Sequence, residues 1–357
     1  MTTIDDVARV AGVSTATVSR ALRGLPAVSA ATRRRVLAAA EQLQYAVSPN
    51  ASRLAGGRTA TVAVVVPWIT RWFFGTVVEA VEDALHQSGY DLLLYNLGGR
   101  NRIRQRVLRP TSLHKRVDAI ILVATHLRPA ELTTLATLDL PGVTISSGSE
   151  VPGWPCVRID DTAAARTATR HLLDLGHRRI AHLSGDPDEL AFTTHRNRRR
   201  GYQEALREAA IVPDPSLDLE TQFTIDGGNR ATAELLSRGG DPPTAIFAAC
   251  DEMAMGAMGA LRDAGLRVPQ DVSVIGIDDH DLSAVLGLST VAQPAAELGR
   301  VAARVLLDPL GGRELTPPVR GVDPGPHGRR PSDPTSGSVI LPTRLVVRDS
   351  TGPPRAD

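Results

Sequence analysis

The chain is expected to fold as a small all-α domain followed by one or two doubly wound α/β domains, because its apolar residues change period near residue 60. Before that point they recur at helical spacing between caps and turns. After it, short apolar runs alternate with amphipathic stretches, the pattern of parallel sheets flanked by helices. A length of 357 residues leaves room for both parts, each with its own core.

Residues 3–22, TIDDVARVAGVSTATVSRAL, read as two short helices around a glycine turn. Thr3 caps the first with Asp6 three residues on, and Asp5 and Asp6 lie at its positive end. Ile4, Val7, Ala8 and Ala11 share one face. Gly12 supplies the positive φ that a sharp turn needs, and Val13 plugs the joint. Ser14 caps the second helix, whose Val18, Ala21 and Leu22 pack inward, leaving Thr15, Ala16, Thr17, Ser19 and Arg20 outward. Hydroxyls, a methyl and a guanidinium on one exposed face suit phosphates and base edges in a DNA major groove. An ordinary hairpin with a solvated face is the competing reading. Residues 28–45 then supply a third helix, with Ser29 as cap, Val36, Leu37, Ala40 and Leu43 as its inner face and Arg33, Arg34 and Arg35 in its first turns.

Through IDDVARVAGVSTATVSRAL, VSAATRRRV and SPNASRLAGGRT, residues 2–59 resemble the DNA-binding headpiece of the LacI/GalR family of bacterial transcription regulators. The likeness continues in VAVVVP (62–67), HLLDLGHRRIAHLSG (171–185), VSVIGIDD (272–279) and LPTRLVVRDST (341–351). It implies an all-α helix-turn-helix headpiece joined to an α/β two-lobed, periplasmic-binding-protein-like core made of two doubly wound parallel-sheet subdomains. The implied division is 1–47 for the headpiece, 48–60 for a hinge and 61–351 for effector binding and dimerisation. Within the core, the first lobe would hold about 61–160 plus a late segment and the second about 161–290, joined by three crossings.

Charge and composition agree. Net charge is only +1, yet residues 1–58 carry eight arginines against Asp5, Asp6 and Glu41, so the basic end is the headpiece. Cys156 and Cys250 have no partner motif, so neither a disulfide framework nor a zinc site is expected. The polar N-terminus has no leader pattern, and no run approaches the ~20 apolar residues of a membrane span, so a cytoplasmic protein is expected.

In AVSPNASRLAGGRTA, residues 46–60, Ser48 and Pro49 can start a helix of about one and a half turns that Gly56 and Gly57 end. So short a segment is unstable alone. The resemblance implies a hinge helix that orders on operator DNA and inserts Leu54 into a central minor-groove step. A plain linker is the alternative.

TVAVVVP, YDLLLYN, DAIILVA, GVTISS, RRIAHLSG, TAIFAA and DVSVIGI read as mostly buried strands, with helices at 74–88, 162–175, 197–209, 227–237, 252–263 and 294–307. Ligands in such folds bind beyond the carboxyl ends of strands. The resemblance therefore points to Asp278, Arg198, Asp160, Phe73 or Phe74, Phe223 and Gln293 as effector contacts, with Cys250 and Asp251 at a further corner. Carboxylates and arginine against vicinal hydroxyls, with an aromatic ring on a sugar face, make a sugar-binding chemistry. Each has a plainer reading: Asp278 and Asp279 as helix caps, Arg196, Arg198, Arg199 and Arg200 as surface charge, Phe73 and Phe74 as core. Cys250 departs from the family, which commonly has asparagine there, and a less polar ligand would suit a thiol.

Residues 309–338, rich in Pro, Gly and Arg, read as a disordered insertion, and 101–116 as an amphipathic helix with an arginine face. No catalytic, phosphate-loop or metal motif stands out, and no cofactor is expected. The expected function is a ligand-responsive repressor, not an enzyme. Its partners would be double-stranded operator DNA, a small sugar-like effector and a second copy, with a tetramer left open. A periplasmic-type solute receptor, an architectural DNA protein and an enzyme are the rivals.

Overall fold

The computed structural model describes residues 2–22, 26–45, 59–98, 110–125, 127–147, 151–185, 193–239, 241–308, 310 and 337–355. The chain divides into two compact units between Ala60 and Thr61, with Lys115–Asp118 grouped with the first. Both Asp118 carboxylate oxygens explain that grouping, since they accept from the Thr59 and Ala60 backbone N–H groups at 2.7 and 2.8 Å.

The N-terminal unit contains α1 (Ile4–Ala11), α2 (Thr15–Leu22) and α3 (Ala30–Gln42). Thr3 and Asp6 form a reciprocal capping box on α1, and Gly12 ends it at φ 61°. Ser14 Oγ accepts from the Thr17 N–H at 3.2 Å and Ser29 Oγ from the Thr32 N–H at 3.2 Å, so both serines cap the following helix. Val7, Val18 and Val36 are fully buried and, with Ala8, Ala11, Ala21, Ala39 and Ala40, make the small core. Leu37 departs from expectation: it is 49% exposed, and Ala39 takes the inner position. The inner face runs Val36, Ala39, Ala40 and Leu43, at i, i+3, i+4 and i+7, and Leu37 is rotated about 100° away from Val36.

The larger unit holds two six-stranded sheets. Elements in the first are β1 (Thr61–Val66), α4 (Trp72–Gln87), β2 (Asp91–Asn96), α5 (Pro110–Leu113), β3 (Ala119–Val123), α6 (Pro129–Ala136), β4 (Gly142–Ile145) and β5 (Cys156–Ile159). There follow α7 (Asp161–Asp174), β6 (Ile180–Gly185), α8 (Thr193–Glu208), β7 (Asp218–Thr221), α9 (Ile225–Ser237), β8 (Ala245–Ala248), α10 (Asp251–Asp263), β9 (Ser273–Asp278), α11 (Asp281–Val285) and β10 (Ser289–Ala292). The last are α12 (Ala295–Leu307), β11 (Val339–Leu341) and β12 (Arg344–Val346).

Strand order is β11-β5-β4-β3-β1-β2 in one sheet and β12-β10-β9-β8-β6-β7 in the other, and among the described residues only β10–β12 pairs antiparallel. The chain leaves the first sheet after β5, since α7 packs on β9 and β10, and returns after β10, since α12 packs on β3, β4 and β5. It crosses a third time between β11 and β12. These are the three crossings that the resemblance implied. β1, β3 and β4 are buried along almost their whole length, as strands covered on both faces must be. β2 was expected to be mostly buried too, but lies at the sheet edge and is only half-buried, with Leu94 37% exposed. Among the described residues no helix is long and apolar enough to cross a membrane.

Candidate DNA-reading face and ligand cleft

On α2, Thr15, Ala16 and Arg20 are exposed, Thr17 and Ser19 half-buried, and Val18 and Ala21 buried beneath them. The side chains expected to read DNA therefore form the outer surface of one helix. Ser14 is exposed but its hydroxyl is engaged with Thr17, and that of Ser29 with Thr32. Leu54, the expected wedge, lies outside the described residues, as do Ser48, Pro49 and most of 309–338.

In the larger unit a cleft with ≈ 630 Å³ of empty space, open mouth included, lies between the lobes. The first lobe lines it with Arg71, Trp72, Phe73, Phe74, Ala124 and Ser146; the second contributes Asp161, Thr194, Arg198, Phe223, Cys250, Glu252 and Asp278, and Gln293 lies on a crossing. Ala124, Ser146 and Gln293 directly follow strands, and Asp161, Phe223 and Cys250 come one residue later, where a doubly wound sheet opens a crevice. Three lining residues, Ala124, Ser146 and Asp278, carry positive φ values of 41°, 48° and 148°. Such backbone costs about 1–3 kcal/mol each and persists where neighbours over-determine it, often at ligand sites.

Arg198 is the cleft's buried cation. Its Nε donates to Asp161 Oδ1 at 2.9 Å, and a terminal nitrogen donates to the Ala249 carbonyl. Burial opposes its charge, but Asp161 and Asp278 hold it protonated, above its ordinary value. Arg199 pairs instead with Asp218 and Glu220, Arg200 pairs with Glu204, and Arg196 is exposed, so only Arg198 of this run reaches the cleft.

Asp278 accepts from Gln293 Nε2 at 2.5 Å. Burial, against the pull of Arg198, pushes its pKa up to about 8. Neither Asp278 nor Asp279 caps α11: His280 Nδ1 accepts the Leu282 N–H at 3.0 Å, and Asp279 pairs with Arg348 at 2.6 Å. Burial, helped by Asp278 and Glu252, raises the Cys250 thiol well above its usual value. The aromatic wall is Trp72, Phe73, Phe74 and Phe223, with Phe74 also part of the lobe's core. Gly185 makes room for it, because a Cβ there would stand 1.9 Å from the Phe223 ring. The Trp72 indole Nε1 is buried with no acceptor among the described residues.

Two expected contacts are not in the cleft lining. Asp160 is exposed and its carboxylate caps α7 through the Ala163 N–H at 3.0 Å; the neighbouring Asp161 faces the cleft instead. Asp251 is wholly buried behind it, accepting from Ser283 and Thr290 hydroxyls at 2.7 Å each and from the His280 N–H at 3.0 Å. Burial still raises its pKa. Sequence reasoning missed Arg71, Trp72, Ala124, Ser146, Asp161, Thr194 and Glu252. Of these, Asp161 was within reach, since an acid directly after a capping acid has its own carboxylate to spare. Among the described residues no three His, Cys, Asp or Glu side chains cluster to hold a metal.

Residues 3–50 match the family model described as bacterial regulatory proteins, lacI family, and residues 169–351 match a periplasmic binding protein-like domain. Catabolite control protein A of Priestia megaterium is 36% identical over 306 residues, 85% of this chain and 91% of that protein. The chain belongs to the LacI family. The HTH-type transcriptional repressor CytR of Escherichia coli (strain K12) is 33% identical over 353 residues, 98% of this chain and 96% of that one. Among solved structures, the LacI-family core and headpiece are similar to the Lac repressor dimer bound to operator and the anti-inducer ONPF. That match has 28% identity and a TM-score of 0.79, covering 98% of this chain and 99% of that one. The transcriptional regulator CelR–cellobiose complex is 32% identical with a TM-score of 0.68, covering 98% of this chain and all of that one.

Proposed function

We propose that this LacI-family regulator is a homodimeric repressor whose α2 reads operator DNA and whose cleft takes a sugar or a related polyol or nucleoside. One observation carries the reading: a single chain joins an exposed helix face of hydroxyls and a guanidinium to a cleft with a polar floor and an aromatic wall. Arg198, Asp278, Gln293 and Asp161 supply donors and acceptors to vicinal hydroxyls, and Phe73, Phe74 and Phe223 the flat apolar face of a ring. The operator-bound and cellobiose-bound relatives support the same assignment. Thr15, Ala16, Thr17, Ser19 and Arg20 are the base-reading group, with Ser14 and Ser29 holding the helix starts beside the phosphates. The division into 1–47, 48–60 and 61–351 belongs to this proposal, with Leu54 as a minor-groove wedge and 309–338 as an insertion.

Cys250 narrows the ligand, since a buried neutral thiol is a weak donor and favours a deoxy or otherwise less polar edge at that corner. The protein acts by binding, without turnover, in the cytoplasm. Effector affinity that differs between lobe arrangements couples the cleft to the headpiece. Binding of the purified protein to its own upstream DNA, at stated salt, with and without a panel of sugars and nucleosides, is the test. Specific binding altered by one compound is expected. Specific binding indifferent to every compound would remove the polyol half of the proposal and leave the DNA half. Loss of a bound sugar to a new product would overturn the claim of no turnover.

A further inference from the structure

Trp72, the first residue of α4, belongs to the first lobe; Glu252, the second residue of α10, and His280, two residues after β9, belong to the second. The Trp72 indole lies against the His280 imidazole, with centroids 5.2 Å apart and planes inclined by 32°. The Trp72 N–H, a helix-start donor with no partner in its own helix, reaches Glu252 Oε1 at 3.5 Å. Arg71 and His280 both act electrostatically on the Glu252 carboxylate, opposing the burial that raises its pKa.

We propose that Trp72, Glu252 and His280 form a clasp between the lobes, which holds the cleft closed whether or not a ligand occupies it. The three crossings tie the lobes covalently but leave closure to noncovalent contacts. Both halves of the clasp are held in shape before they meet. On the second lobe, the His280 N–H donates to Asp251 Oδ2 and its Nδ1 accepts from the Leu282 N–H, both at 3.0 Å, so backbone and ring are fixed together. Asp251 is itself anchored by Ser283 and Thr290, which makes it a positioning residue for His280. On the first lobe the Arg71 guanidinium lies 3.9 Å over the Trp68 ring, bracing the turn that leads to Trp72. Preset partners lose little freedom on closing, so a small contact can bias a two-state hinge.

The test uses the full chain with Trp68→Phe and Trp154→Phe, which leaves Trp72 as the only tryptophan. Acrylamide quenching of its fluorescence reads exposure of the ring, and small-angle scattering of the same protein reads lobe separation; no ligand is needed. His280→Ala should raise the quenching constant about threefold, the size expected for losing one aromatic pair, and should enlarge the radius of gyration. His280→Asn keeps an acceptor for the Leu282 N–H but removes the ring, and should behave as His280→Ala does. His280→Phe should restore the low quenching. If His280→Asn matched the parent, His280 would be only the cap of α11 and the clasp would be overturned. Unchanged quenching and scattering in His280→Ala, with circular dichroism reporting a folded chain, would overturn it equally.

Discussion

Arg198 and Asp161 meet at 2.9 Å on the cleft floor, one from α8 and one from the first turn of α7, with their side chains 5% and 11% exposed. A charge pair so far from water is held less by its own attraction than by the cost of leaving either member alone. Burial raises the Asp161 pKa even beside the guanidinium, so the arginine is the partner on which the site depends.

Arg198→Ala should therefore destabilise the core by about 3–5 kcal/mol, by stranding Asp161. Urea unfolding of the two proteins measures this. A loss below about 1 kcal/mol, typical of an exposed pair, would mean that water reaches the floor.

Asp278 should make stability fall with rising pH. Its folded pKa of about 8 exceeds the ordinary carboxylate value of 3.8, so the folded chain keeps a proton that the unfolded chain has released. This contribution is complete below about pH 4 and is lost as pH rises to about 8, with a slope of at most ~1.4 kcal/mol per unit. Asp278→Asn should flatten the profile over that window, and equal slopes in the two proteins would show that Asp278 ionises normally.

Ser29 tests two roles of one hydroxyl. As the cap of α3, its replacement by Ala should lower headpiece stability by about 1 kcal/mol in thermal unfolding, with no DNA present. An unchanged melt with weakened DNA binding would make Ser29 a DNA contact alone.

Arg20→Ala removes an exposed guanidinium from α2 and no described contact, so headpiece stability should stay within about 0.5 kcal/mol. Specific DNA binding should fall by roughly 5- to 150-fold, since a bidentate base contact is worth about 1–3 kcal/mol. Binding that weakens equally on specific and random DNA would make Arg20 a phosphate contact.

Gly185→Ala should push the Phe223 ring out of place, because the new Cβ would stand 1.9 Å from it. Overpacking of this kind costs about 1–3 kcal/mol. A crystal structure with the ring unmoved would contradict the crowding.

Period and punctuation in the chain were enough to place the three headpiece helices, their caps at Thr3, Ser14 and Ser29, and the main strands of both sheets. Those features depend on neighbours within a few residues, through capping, turn geometry and face periodicity. Even the outward face of α2 followed from spacing, because Val18 and Ala21 must go inward. Leu37 is still a local misreading, since Val36, Ala39, Ala40 and Leu43 alone keep the helical phase, whereas β2 shows where local reading stops: rank within a sheet is a property of the packed whole. The same limit separates Asp160 from Asp161. Both suit the start of α7, and only the position of Arg198, thirty-seven residues further along the chain, draws the second into the cleft while the first stays on the helix end. Cys250 and Asp251 divide likewise, with the thiol at the cleft and the carboxylate behind it under Ser283 and Thr290. Trp72, Glu252 and His280 come from segments as much as 208 residues apart and share no pattern along the chain. Their meeting depends on the strand ends of the two lobes being brought together across the cleft, which residue order alone does not specify.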